Sequence, residues 1–307
     1  MPRTVAELLR DATERFRASG SESARLDAEL LLGYVLGLDR SSVLAHPDAP
    51  VSDGQAQHVE ALVERRETGE PVAYIRGTKE FRSLVFMVDE RVLIPRPDTE
   101  RLVDVAFERA RDRLAAAARP AGSAPFSIWD MGTGSGAICI SLAVLLRQGG
   151  YLPYVRLLAS DVSPLALGAA LENAVAHGVA DAIELRPGSL FSVEPALGPV
   201  DLLVANLPYI PTDALAGLPI AVTFEPRLAL DGGPDGLTLI RRLLVGLPAA
   251  LAPGGQALLE IGSDQVERLA SAVEEALPGW TLKTHADLSG RPRVAQIDPP
   301  HEAGSGR

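Results

Sequence analysis

Two short runs hold residue types that could do chemistry together. The first is Asn206-Leu207-Pro208-Tyr209, followed by Ile210-Pro211. An Asn where a strand ends offers a carboxamide oxygen as acceptor, and the prolines stiffen the following backbone so that its carbonyls point outward. Tyr209 adds a flat face. Such a bend suits a planar group bearing an NH2, with two acceptors taking its two hydrogens while the ring stacks on the plane. Standing alone, the tetrapeptide reads equally well as an Asx-turn capping a strand before a Pro-rich bend.

The second run is Gly132-Thr133-Gly134-Ser135-Gly136, which closes the strand ending Trp129-Asp130-Met131 and opens a helix. Glycines there let the backbone turn sharply and admit a ligand against bare main chain. Gly132, Gly134 and Ala137 also satisfy the dinucleotide fingerprint, so the loop admits nicotinamide and adenosyl cofactors alike. Asp161 ends the next strand, where a carboxylate can accept both ribose hydroxyls of an adenosine. Its other reading is an acid at a helix N-terminus before Ser163-Pro164, favourable by ~0.3–1 kcal/mol through the helix dipole. Convergence of all three features on the carboxyl edge of one sheet favours a site.

The elements that position these residues follow from periodicity. Strands are expected at Ser127–Met131, Val155–Ala159, Ile183–Leu185, Val200–Ala205 and Ala257–Ile261, with helices between most of them. Ser163-Pro164 caps one helix and Gly178 stops it, and Asp264 with Glu267 is expected to cap the helix after the fifth strand. Thr281–Leu288 and Arg293–Ile297, joined by Ser289-Gly290-Arg291-Pro292, predict a terminal hairpin. Ahead of the sheet, Thr4 and Glu7 form a capping box before Leu8, Leu9, Ala12 and Phe16. A second helix, from about Ser23 to Leu36, carries Leu26, Leu30 and Tyr34 on one face. A third is capped by Ser52 and Gln55 and runs through Val59, Leu62 and Val63 to Gly69. Phe81–Val88 and Arg91–Ile94 alternate in period two around Asp89-Glu90, which reads as a hairpin. Ala115–Pro125 reads as a fraying helix end and surface loop.

The chain has 307 residues, and at about 150 per domain that predicts two domains. Apolar residues at 47% and charged residues at 22% exclude wholesale disorder. A formal charge of −11 argues against non-specific adhesion to nucleic acid or an anionic membrane. Cys139 is the single cysteine, and His46, His58, His177, His285 and His301 show no ligand spacing, so neither a disulfide nor a metal is expected. Cys139 sits among Ile138, Ile140 and Leu142 and reads as a packing thiol. Glu60, Glu64, Arg65 and Arg66 read as a solvated helix face. The apolar stretches Ala137–Leu146 and Leu30–Leu38 are about half of a bilayer-crossing length, and Met1–Glu7 lacks a signal-peptide apolar core. A cytoplasmic, soluble monomer is the expectation.

A strand ending in Asn-x-Pro-Tyr resembles the class I adenosylmethionine-dependent amino-methyltransferases, whose usual loop is Asn/Asp-Pro-Pro-Tyr/Phe. Leu207 stands where that loop usually carries proline. Pro71–Gly77, Val92–Glu100, Phe224–Gly233, Leu251–Gly255 and Glu260-Ile261-Gly262 resemble one branch, the HemK-type release-factor glutamine methyltransferases. The likeness runs from the helical bundle to the terminal hairpin. It implies an α/β fold, a seven-stranded Rossmann-like methyltransferase sheet ending in an antiparallel hairpin, with a small N-terminal helical bundle and a linking β-hairpin. Residues 1–77 would recognise the substrate, 78–95 form the linking hairpin, 96–299 the methyltransferase domain and 300–307 a disordered tail.

The implied activity is methyl transfer from S-adenosylmethionine to the side-chain amide nitrogen of glutamine in the Gly-Gly-Gln motif of class 1 peptide chain release factors. By position, Gly132, Thr133, Gly134, Ser135 and Gly136 would line the cofactor, with Asp161 on the ribose, Leu190 beside the adenine and Asn206 reaching both ligands. Asn206, Leu207, Pro208 and Tyr209 would hold the glutamine amide. Arg96 and Glu225-Pro226-Arg227 are weaker candidates: Pro95-Arg96-Pro97 would shape the substrate mouth, or Arg96 is an ordinary surface ion-pair partner. Competing readings are a glutamine methyltransferase for a ribosomal protein, a nucleic-acid adenine N6-methyltransferase, a nicotinamide-dependent dehydrogenase and a non-catalytic binding module. The acidic charge opposes the nucleic-acid reading, and a dehydrogenase leaves Asn206–Tyr209 unexplained.

Overall fold

The computed structural model describes residues 3–116, 124–193 and 198–300. Two compact units divide the chain, residues 1–78 with 218–225, and residues 79–217 with 226–307.

The first unit is helical: α1 (Val5–Ala18), α2 (Ala24–Leu36), α3 (Arg40–Ala45), α4 (Asp53–Glu67) and α5 (Val72–Arg76). Both expected capping boxes form, Thr4 with Glu7 and Ser52 with Gln55. Phe16, Leu31, Leu32, Val59 and Leu62 fill the core. The face of α2 differs from expectation. Leu26 and Tyr34 are exposed, whereas Ala24, Asp27, Ala28, Glu29, Leu31 and Leu32 face inward. The inward face carries two carboxylates, so apolar spacing alone selects the wrong side. Arg66 explains one of them. It lies mostly buried, its Nε 2.9 Å from the Asp27 carboxylate, and is therefore not part of a solvated face. Glu29 is held between Arg25 and Arg40, and Arg15 pairs with Glu60 and Glu67. Gly69, at φ +97°, is pressed against Ile220, which a Cβ there would meet at 2.6 Å.

A hairpin begins at the boundary residue Thr78 and belongs otherwise to the second unit: β1 (Thr78–Phe81) and β2 (Leu84–Met87). Its turn lies at Arg82-Ser83, both at positive φ (49° and 58°), not at Asp89-Glu90 as the alternation suggested. Arg82 is secured there by Glu100, which accepts its backbone N–H at 3.0 Å. The Asn173 side chain takes the Met87 N–H at 2.7 Å and donates to the Met87 carbonyl at 3.0 Å.

The rest alternates: α6 (Thr99–Ala116), β3 (Phe126–Met131), α7 (Ala137–Gln148), β4 (Val155–Asp161), α8 (Pro164–Ala176), β5 (Ile183–Ser189), β6 (Ser192–Val193), β7 (Val200–Ala205), α9 (Thr238–Ala250), β8 (Leu251–Glu260), α10 (Val266–Ala276), β9 (Thr281–Ala286) and β10 (Pro292–Asp298). They build one sheet in the order β6-β5-β4-β3-β7-β8-β10-β9. It has eight strands rather than seven, because the two-residue β6 folds back antiparallel on β5. β5, β4, β3, β7 and β8 run parallel, and β10 and β9 form the expected antiparallel hairpin. Leu203, Leu243, Leu244, Leu247 and Leu259 pack the core on one face. Ser163 caps α8 as expected, but Gln265 rather than Asp264 occupies the N-cap of α10, without a side-chain cap bond. Among the described residues no helix is long and apolar enough to cross a membrane. The tail at 301–307, with His301, and residues 117–123 of the expected loop lie outside the described residues.

Candidate functional site

The chain leaves β3 toward β4 on one side and reaches β7 on the other, and open α/β sheets carry ligands at the carboxyl ends of such strands. A cavity of about 300 Å³ opens there. Gly132, Gly134, Asp161, Leu190, Asn206, Leu207 and Pro208 line it, so both runs and the acid converge on one crevice. Arg91, Leu93 and Arg242 also line it, and sequence reasoning missed them. Thr133 and Ser135 are buried outside that wall, and a Cβ on Gly136 would strike Ile140 and Ala170, so Gly136 serves close helix packing. Tyr209 likewise stands outside the wall and packs on the core.

The glycine run is tied down by hydrogen bonds from the Gly132 and Thr133 N–H groups to the Ser160 carbonyl, at 2.8 and 2.9 Å. Gly134, at φ +54°, has nothing within 4 Å of the place a Cβ would occupy. Its N–H donates to Asp161 Oδ2 at 2.9 Å, while Ser163 N–H donates to Oδ1 at 2.9 Å. Each Asp161 oxygen keeps a lone pair for a further donor. Burial pushes the Asp161 pKa up, against the pull of those backbone N–H groups.

Asp130 was not singled out from the sequence, although a carboxylate inside Ile128-Trp129-Asp130-Met131 was a legible signal. It is 1% exposed. Its Oδ2 accepts from Thr133 Oγ1 at 2.7 Å and Cys139 N–H at 3.2 Å, while Oδ1 is buried with no partner. Desolvation pushes this carboxyl up to about 6. Cys139 is a buried thiol whose pKa burial raises, as a packing residue should be.

The Asn206–Tyr209 bend is braced from several sides. Asn206 Nδ2 donates to Thr99 Oγ1 at 3.2 Å, which leaves Oδ1 as the open acceptor. The Leu207 side chain is buried, its Cδ2 3.3 Å from where a Cβ on Gly132 would sit. Gln265 Nε2 donates to the Tyr209 carbonyl at 3.0 Å, and the Tyr209 hydroxyl donates to Glu260 Oε1 at 3.3 Å. The Asp231-Gly232-Gly233 stretch runs alongside. Ile210 N–H donates to the Leu230 carbonyl at 3.1 Å and Gly232 N–H to the Ile210 carbonyl at 2.8 Å. A Cβ on Gly232 would lie 2.8 Å from the Pro208 carbonyl oxygen and the Tyr209 Cα, so glycine is required for this approach.

Arg96 is half-buried and Glu225 buried, while Arg227 pairs with Asp231 at 3.1 Å; none of these three lines the cavity, but Pro226, between the last two, does. Among the described residues, no group of three His, Cys, Asp or Glu is placed to hold a metal ion.

This arrangement has known counterparts. The family model for the PrmC N-terminal domain matches residues 7–77. The chain is similar to the release factor glutamine methyltransferase of Moorella thermoacetica, 44% identical over 296 residues that cover 94% of this chain and 99% of that one. The protein of the same name from Bradyrhizobium diazoefficiens is 37% identical over 292 residues, covering 95% of this chain and 93% of that one. Among solved structures, the hMettl16 catalytic domain in complex with MAT2A 3'UTR hairpin 1 superposes with a TM-score of 0.51 at 16% identity, covering 85% of each chain, a likeness of fold alone. Identity of this extent, spread from the helical unit through the sheet that carries the glycine and amide loops, makes the chain a member of the release factor glutamine methyltransferase family.

Proposed function

We propose that this chain transfers a methyl group from S-adenosylmethionine to the side-chain amide nitrogen of the glutamine in the Gly-Gly-Gln motif of class 1 peptide chain release factors, acting in the cytoplasm as a monomer. The observation that carries the reading is the Asn206 carboxamide, its NH2 on Thr99 and its oxygen left open at the wall of the cavity that Gly132, Gly134 and Asp161 share. The relatives' shared name supports the choice of substrate.

The residues present suit the cofactor. Gly134 meets the cavity without a side chain and Asp161 has a spare lone pair on each oxygen for ribose hydroxyls. The orphaned Asp130 Oδ1 lies one strand residue from Met131, which lines the cavity. Leu190 offers an apolar surface for the adenine. When bound, S-adenosylmethionine supplies an electrophilic methyl carbon, and everything else falls to the chain.

A primary amide nitrogen is a poor nucleophile because its lone pair is delocalised into the carbonyl. Hydrogen bonds from its two N–H groups to Asn206 Oδ1 and the Leu207 carbonyl would orient it and favour the positive charge that grows on nitrogen. Pro208 keeps those acceptors rigid, and Tyr209, packed on the core and tied to Glu260 and Gln265, anchors the bend from outside the cavity wall. Once alkylated, the nitrogen is acidic enough to lose its proton without an engaged base. The decisive experiment is mass spectrometry of a purified class 1 release factor after incubation with this protein and S-adenosylmethionine. One added methyl on the motif glutamine is expected; an unmodified factor overturns the reading.

A further inference from the structure

Glu260 ends β8, opposite Val294 of β10, in the middle of an otherwise apolar run, and only 2% of it is exposed. A carboxyl in such a place is costly unless its oxygens are satisfied. One is, by the Tyr209 hydroxyl, but Oε2 is buried with no hydrogen-bond partner. Thr99 stands near enough to the same carboxyl to lower its pKa, although no hydrogen bond satisfies Oε2. Thr99 is also the partner of Asn206, and there lies an ambiguity that only a third group removes. A threonine hydroxyl both donates and accepts, so by itself it would tolerate either orientation of the Asn206 carboxamide. Flipped, Asn206 would present an NH2 where the substrate amide needs an oxygen.

Resting on the function proposed above, we propose that Glu260 is a positioning residue for the amide-gripping bend. Its carboxylate draws the Thr99 proton, Thr99 in turn accepts from Asn206 Nδ2, and Asn206 Oδ1 is thereby aimed at the substrate. The same carboxylate fixes the Tyr209 ring by its hydroxyl. Other charged groups face it as well. Asp98, just ahead of α6, raises its pKa, and Arg293 of β10 lowers it. Arg293 is shared between Asp98 at 2.9 Å and Asp287 of the terminal hairpin at 3.3 Å. Burial outweighs them all and brings the Glu260 pKa up to about 7.

The sign of the effect follows. Below pH 7 the carboxyl is protonated and can itself donate, so it ceases to fix the direction of the Thr99 hydroxyl; above pH 7 it enforces one direction. Turnover should therefore rise with pH through about 7. Folding stability should move the opposite way, because a carboxyl whose folded pKa exceeds its unfolded value of 4.5 favours the folded state only while protonated.

The test uses the full chain with a release factor and S-adenosylmethionine. Glu260→Gln should lower kcat about tenfold, the rate equivalent of one hydrogen bond lost in the transition state, and abolish the rise near pH 7. KM for the release factor should stay within about twofold, since the loss is confined to the transition state. Thr99→Val should give the same kcat loss with Glu260 in place, and covers the case in which Glu260→Gln does not fold. The carboxamide NH2 signals of Asn206, identified by their loss in Asn206→Asp, give a readout that needs no turnover. They should shift with pH with a midpoint near 7, and lose that midpoint in Glu260→Gln. If the wild-type protein fails to methylate the factor, the functional reading falls while the Asn206 signals still decide the role of Glu260. Wild-type kcat and pH profile in either folded variant, or Asn206 signals indifferent to pH, would overturn the proposal.

Discussion

The helical unit and the sheet treat buried charge in opposite ways. In the helices, Asp27 and Glu29 are buried but paired, Asp27 with Arg66 and two serine hydroxyls, Glu29 with Arg25 and Arg40. At the carboxyl ends of β3 and β8, Asp130 and Glu260 are equally buried, yet each keeps an oxygen without a partner. Paired carboxylates hold helices together, and their neutral replacements are often no less stable. Half-satisfied carboxylates cost stability and are tolerated where a ligand or a mobile proton uses them. The difference separates scaffold from site without reference to any cavity.

The largest effect expected from breaking this contrast lies in the helices. Arg66→Ala strands Asp27 and should cost about 3–5 kcal/mol, at the lower end because Ser21 and Ser23 still donate to it. Chemical denaturation checks it, and a loss under 1 kcal/mol would mean that the pair is solvated after all. On the sheet side, Asn206→Ala should reduce kcat by ~10²–10³ while cofactor affinity holds, because only the transition state loses an acceptor. Comparable turnover would refute the assignment.

Asp130 sharpens the comparison through pH. Its folded pKa of about 6 exceeds the ordinary 3.8, so its contribution to stability is complete below about pH 4 and lost as pH rises through 6. Asp130→Asn should flatten that decline, worth roughly 2–3 kcal/mol, in melts recorded across the range. Asp161→Ala should weaken S-adenosylmethionine binding by about 1–2 kcal/mol, read by calorimetry, with the fold retained. Leu207→Pro should change kcat least, since a proline carbonyl accepts as a leucine carbonyl does; severe inactivation would contradict the account of the bend.

Strands β3, β4, β5, β7 and β8, the terminal hairpin, both capping boxes and part of the crevice wall (Gly132, Gly134, Asp161, Leu190, Asn206, Leu207 and Pro208) are legible because alternation, glycine spacing and capping act locally. What was missed depends on tertiary partners. The turn at Arg82-Ser83 has neither Asn nor Gly to announce its positive φ and is held by Glu100, far along the chain. The inward face of α2 is not legible from apolar spacing because Arg25 on α2 itself, with Arg40 and Arg66 from beyond it, neutralises its carboxylates. Asp130 and Glu260 could have been flagged as acids interrupting apolar strands, but the orphaned oxygens are visible only in three dimensions.

The leucine at 207 fills space that the missing side chain of Gly132 leaves vacant. The loop that meets the methyl donor and the loop that meets its acceptor are thus two halves of one steric allowance. Bulk added to the first would have to displace the second by a few tenths of an ångström, on top of the strain that φ +78° puts on any side chain at 132, so the two positions are coupled in space.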